Sequence, residues 1–151
     1  MLKDSPELTD HIGYWLRRVS NAVSAGFAKK LETLDVAVAE WVFMRLLYGR
    51  EPIPPSQIAE VMALTRGGIT KIADRLIAKG YLARENDPED GRGQRLKLTA
   101  RGNQIVPRLA ALADKNEAEY FAHLSTKEKR ELMELLRKTV DALGIDTVPT
   151  T

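Results

Sequence analysis

Pro55-Ser56-Gln57-Ile58-Ala59-Glu60-Val61-Met62, the join Ala63-Leu64-Thr65, and Arg66-Gly67-Gly68-Ile69-Thr70-Lys71-Ile72-Ala73-Asp74-Arg75-Leu76-Ile77-Ala78-Lys79-Gly80 form the stretch whose reading decides the fold. Ile58, Ala59 and Met62 recur at helical steps and predict a short helix over about 55–62 with those three inward. Ala63-Leu64-Thr65 predicts a tight turn, and the Thr65 hydroxyl caps a second helix from Arg66 to about Lys79, stopped at Gly80. Two short helices across such a turn make a helix-turn-helix. Helical spacing puts Ile69, Ile72, Ala73 and Leu76 on the packed face of the second helix. Arg66, Gly67, Thr70, Lys71, Asp74 and Arg75 fall on the opposite face or its margins. Two glycines in a first helical turn each forfeit about 1 kcal/mol against alanine, which points either to a backbone that must approach DNA closely or to a first turn that is merely loose.

Downstream of Gly80 the period changes from helical to alternating. Tyr81-Leu82-Ala83-Arg84 and Arg95-Leu96-Lys97-Leu98-Thr99 read as two strands, and the loop Asn86–Gly93 between them is rich in turn formers and has no apolar side chain. A helix-turn-helix followed directly by a hairpin is the winged-helix arrangement. One helix fits the major groove, and an extended loop reaches the flanking backbone or minor groove.

Outward from this unit the chain reads as helices. Ser5-Pro6-Glu7 is a helix-start pattern, and Ile12, Trp15, Leu16, Val19, Val23, Phe27 and Leu31 form a long apolar stripe behind it. A second helix is expected over 38–48, with a nearly continuous apolar face (Trp41, Val42, Met44, Leu47, Tyr48) and a stop at Gly49. Thr99 caps a further long helix bearing Ile105, Val106, Leu109, Leu112 and Ala113, which Pro107 should bend or loosen. Ser125-Thr126-Lys127-Glu128 is a capping box for a last helix to about Leu143, with Leu132, Met133, Leu135, Leu136, Val140 and Leu143 as its stripe. The tail from Thr147 is expected to fray. The fold class is therefore mainly α with a small β-hairpin wing: a winged helix-turn-helix lobe at 38–99, with dimerisation helices at 6–34 and 104–144 in a single domain of 151 residues.

Composition narrows the function classes. Net charge is only +2, but the balance is 0 over residues 1–53, +3 over 54–104 and −1 over 105–151, so the basic excess sits where a DNA-reading element needs it. There is no cysteine, which removes disulfides, thiol nucleophiles and thiolate metal sites. The first residues have no apolar signal-peptide core, and no run suits a membrane span, so the expected location is the cytoplasm. His11 and His123 are the only histidines, on separate helices and without ligand spacing; neither catalysis, nor zinc, nor any cofactor is expected. Asp87, Glu89 and Asp90 could gather a hard cation, but the adjacent arginines favour a solvated wing.

The quoted stretch, with Lys79-Gly80-Tyr81-Leu82-Ala83-Arg84, Asp87-Pro88-Glu89-Asp90-Gly91-Arg92 and Leu96-Lys97-Leu98-Thr99-Ala100-Arg101-Gly102, resembles the MarR family of bacterial transcription regulators. The resemblance implies that Arg92 is a wing-tip arginine entering the minor groove, that Asp90 orients it, and that Arg84 braces the wing through Asp90 or its neighbours. It also implies a homodimer on double-stranded DNA, with Arg66, Gly67, Thr70, Lys71, Arg75, Asp90 and Arg92 as the DNA-binding set. A small aromatic or anionic ligand would meet Tyr14, Trp15, Trp41 and Arg45, although these aromatics also suit a core. The family pattern is departed from at Ala37 and Pro54, where capping hydroxyls are usual, and at Gly91, where a second basic residue is common. The competing classes are a winged-helix protein-interaction module and a non-specific architectural nucleic-acid-binding protein.

Overall fold

The computed structural model describes residues 4–89, 91 and 93–151. Six helices and one hairpin follow in order: α1 (Ile12–Glu32), α2 (Val38–Leu47), α3 (Pro55–Met62), α4 (Arg66–Ala78), β1 (Leu82–Asn86), β2 (Gln94–Leu98), α5 (Ala100–Phe121) and α6 (Thr126–Leu143). Among the described residues no helix is long and apolar enough to cross a membrane.

The first helix starts later than its cap pattern suggests. Residues 5–11 hold a single apolar side chain, Leu8, and so have nothing to bury. A 3₁₀ turn, Leu8–Asp10, forms instead, with the Asp10 carboxylate accepting from the Glu7 N–H at 2.8 Å. His11 is extended, and α1 begins after it. The other boundaries lie close to the sequence reading. Thr65, Thr99 and Ser125 each accept from the backbone N–H three residues on, while Gly49, Gly80 and Gly144 take the positive φ that ends a helix. At Ala37 the missing hydroxyl is offset from the other side: Glu40 accepts the Ala37 N–H at 2.9 Å. α5 is continuous across Pro107.

The hairpin pairs Leu82 with Leu98 and Asn86 with Gln94 in antiparallel register. Ile53 adds a short third strand, exchanging both backbone hydrogen bonds with Leu96 (3.0 and 2.8 Å). Phe43, Met44, Ile58, Ile69, Leu76 and Leu96 centre one apolar core, which also draws in Leu31 from α1 and Ile105, Val106 and Leu109 from α5. α5 thus closes the lobe with its first half. With its second half it packs on α1, where buried Asn116 donates to the Val23 carbonyl and accepts from Lys30. α6 buries no residue at all. The tail beyond it is not frayed throughout: Val148 packs on the core and donates to the Val61 carbonyl at the end of α3.

Candidate nucleic-acid interface

On α4, Ile69, Ile72, Ala73 and Leu76 are all buried, and this anchoring fixes what the helix presents. Arg66, Gly67, Thr70, Lys71, Asp74 and Arg75 are exposed. Among the described residues no acid pairs with Arg66, Lys71 or Arg75, so their charge is available to an external anion. The helix N-terminus adds free backbone donors on the same side. Thr70 spends its proton inside the helix, donating to the Arg66 carbonyl at 2.9 Å. Outward it therefore offers a methyl group and acceptor lone pairs, suited to a thymine methyl or a base amino group.

The glycine pair has no internal explanation. A Cβ on Gly67 or Gly68 would meet nothing closer than ordinary van der Waals contact, and neither residue has positive φ. Gly102 shows what an internal requirement looks like: a Cβ there would collide with the Tyr81 carbonyl, where α5 starts against the wing. The cost of the pair in α4 is consequently offset, if at all, by something outside the chain.

Beside α4 stands the wing. Glu85 on β1 lies directly opposite Arg95 and holds both Arg95 (2.9 Å) and Lys97 (3.1 Å). The Lys97 hydrogen bond is the main reason its carboxyl titrates below the usual range, and Arg95 adds to it. These two cations of the wing are thus partly neutralised by the hairpin itself. The loop base is closed by the Asp87 N–H donating to the Gly93 carbonyl, and the Asp87 carboxylate accepts from the Glu89 N–H. Asp90 and Arg92 lie outside the described residues. The Arg84 guanidinium reaches back to Asp74 of α4, while its expected partner Asp90 is not among the described residues. Wing and helix are thereby tied to each other, and Asp74 is a brace rather than a reading group. Nothing in the sequence marked that pair, since the two residues sit on elements of different period.

A concavity of about 550 Å³ opens between these parts, lined by Pro54, Pro55, Ser56, Arg66, Thr70, Asp87 and Gln94 among others. The four residues expected to meet a ligand lie in two pairs, Tyr14 and Trp15 on α1 and Trp41 and Arg45 on α2. Tyr14 and Trp15 pack edge-on with Arg18 over both rings, whereas Trp41 packs on Phe27 and Arg45 lies over Tyr48. Among the described residues no group of three His, Cys, Asp or Glu could hold a metal ion.

A family model described as the MarR family matches residues 37–93, the stretch from α2 through the wing loop. Over that stretch the chain matches the MarR family. The chain is 34% identical over 99 residues to the HTH-type transcriptional regulator YkoM of Bacillus subtilis, a match spanning 66% of this chain and 64% of that relative. Its fold overlays a mutant of MarR from E. coli crystallised with operator DNA at a TM-score of 0.77 and 26% identity, covering 90% of this chain and 99% of that one. Bordetella bronchiseptica BpsR, a protein whose DNA binding is regulated by 6-hydroxynicotinic acid, gives a TM-score of 0.78 over 91% of this chain and 98% of its own. At 23% identity BpsR establishes the winged fold alone.

Proposed function

We propose that this protein is a sequence-specific DNA-binding transcriptional regulator of the MarR family, acting as a homodimer on a palindromic site. The observation that carries the reading is the exposed face of α4: Arg66, Lys71 and Arg75, which pair with no acid among the described residues, stand around Thr70 on a first turn whose glycines meet no close neighbour. In this reading Gly67 lets the backbone approach the duplex, Thr70 meets a base edge, the three cations hold phosphates, and Arg92, oriented by Asp90, enters the minor groove. Arg92→Ala should leave the fold intact and weaken specific binding by about 1–3 kcal/mol. Replacing Lys71 or Arg75 should weaken all sequences alike and lower the salt slope by about one. A gel shift against selected and random duplexes decides between classes: equal affinity for both would leave only the architectural reading, and no affinity for either would leave the protein-interaction reading.

The dimer rests on apolar surface. Ile12, Trp15, Leu16 and Val19 of α1 and Leu132, Met133, Leu135, Leu136, Val140 and Leu143 of α6 are exposed large hydrophobics. An apolar groove of about 330 Å³ runs between α5 and α6, lined by Phe121, Leu124, Leu132, Met133 and Leu136. An isologous pairing of these faces covers them and sets two α4 helices about 34 Å apart. Repression is the reading of choice because occupying a promoter blocks transcription without any further contact. Release by an aromatic anion at Tyr14, Trp15, Trp41 and Arg45 is the finer part of the proposal. It is tested by titrating benzoate against the fluorescence of Trp15 and Trp41, the chain's only tryptophans.

A further inference from the structure

At the far end of α4, away from the groove-reading turn, the chain buries a charge. The Glu40 side chain, on the first turn of α2, is 3% exposed. One oxygen accepts from the Ala37 N–H and from Lys79 Nζ, and the other has no hydrogen-bond donor and lies 3.0 Å from the same Lys79 ammonium. Lys79 is the C-cap residue of α4, and its ammonium also donates to the Asp35 carbonyl at 2.6 Å, with the exposed Asp35 carboxylate 3.9 Å away. Asp35 holds a positive φ of 55° although it is not glycine, so the corner between α1 and α2 is bent sharply where Lys79 grips it. Among the described residues Lys79 is the only cation paired with Glu40.

We infer that Lys79 and Glu40 form a clasp that sets the angle of the recognition helix against the α1–α2 corner, and through it the half-site spacing that the dimer accepts. The inference rests on the dimeric DNA-binding reading above. Apolar packing fixes which face of α4 turns inward, but it is non-directional and sets the tilt of the helix less sharply than an ion pair with one geometry does. An ammonium shared between a buried carboxylate and a backbone carbonyl has one position. The clasp sits at one end of a lever whose other end does the reading. α4 has 13 residues, about 20 Å at 1.5 Å per residue, so a tilt of roughly 10° moves its first turn by about 3 Å. That is close to the 3.4 Å rise of one base pair. The Arg84–Asp74 ion pair cannot substitute, because it ties α4 to the wing and not to the α1–α2 corner. Lys79 is accordingly a positioning residue, acting on DNA through the helix it ends.

The test uses duplexes selected from a random library by the wild-type protein, then lengthened or shortened by one base pair between half-sites. Wild type should lose about tenfold or more in affinity for each such change, comparable to one mismatched base pair. The double variant Glu40→Gln with Lys79→Met keeps an acceptor for the Ala37 N–H and leaves no unpaired buried charge. It should melt near wild type and sediment as a dimer, yet bind the three spacings within about threefold of each other, well inside the cost of one mismatch. Lys79→Arg, which keeps the charge, is a second probe and should discriminate to an intermediate degree. A double variant or Lys79→Arg variant that counts spacing as sharply as wild type, whatever its melting temperature, overturns the clasp and leaves the DNA-binding reading standing. A wild type indifferent to spacing, or one that binds as a monomer, overturns both together.

Discussion

The lobe between Leu31 and Leu109 and the helices at the two ends of the chain are both amphipathic, but only the lobe covers its own apolar surface. Phe43, Met44, Leu76 and Leu109 reach complete burial within one chain, whereas every large hydrophobic of α6 stays open to water. The amphipathic pattern is equally clear in both. What differs is the number of neighbours that the chain itself supplies. In the lobe, α2, α3, α4, the wing and the start of α5 converge from several directions. α6 shares a groove with the end of α5 and buries none of its own residues. A stripe without an internal partner is a demand for an external one.

This contrast can be broken most forcefully from inside the lobe. Phe43→Ala removes a fully buried ring and should cost about 3–5 kcal/mol in denaturant melts, with DNA binding falling in step with the folded fraction. A cost below about 1 kcal/mol would mean that the lobe core is not what holds this region together.

At the other end, Leu136→Asp places a charge on the uncovered stripe of α6. Wild-type stability should rise by about 1.4 kcal/mol per mole of dimer for each tenfold increase in protein concentration. The variant should lose that dependence and sediment as monomer or unfold. Wild-type melting that ignores concentration would remove the contrast between the regions.

Paired cap deletions sharpen the comparison on a smaller scale. Thr65→Ala and Ser125→Ala each remove a hydroxyl that accepts a first-turn N–H, at about 1 kcal/mol apiece. The Thr65 loss should appear in the stability of the lobe. The Ser125 loss should appear mainly as weaker dimerisation, read by sedimentation equilibrium, because α6 depends on assembly.

Acid should produce the smallest effect, and it reaches both regions. Glu85 in the wing is held low chiefly by Lys97, Glu119 on α5 by its hydrogen bond with Lys30, and Glu128 on α6 by the Ser125 backbone N–H. A carboxyl whose folded value lies below the usual 4.5 stabilises the fold above that pH and loses its contribution as pH falls through the lowered value. Stability should therefore be flat near neutrality and begin to decline below about pH 4.5. Glu119→Gln should soften that decline slightly in a pH series of thermal melts.

Local rules made much of this fold legible in advance. The period of Ile58, Ala59 and Met62, the Thr65 cap, the Gly80 stop and the change to alternation at Tyr81 each act over a few residues, and each is where the sequence reading placed it. The late start of α1 was missed because a cap pattern says where a helix can begin, not whether the next turn has anything to bury. Ile53 escaped notice as a strand because it stands alone between two prolines. The exposed face of α4 followed from spacing alone. Its two polar ties did not, because Asp74–Arg84 and Glu40–Lys79 join residues on separate elements, and no periodicity connects them.

α5 gives Ile105, Val106 and Leu109 to the lobe and Asn116 to the contact with α1. A chimera that swaps the reading head of this protein cannot be spliced at Thr99, where the hairpin ends. Such a junction would leave three core residues behind on the recipient. A cassette meant to carry its own specificity has to extend through Leu109, and the recipient must accept a helix that changes ownership halfway along its length.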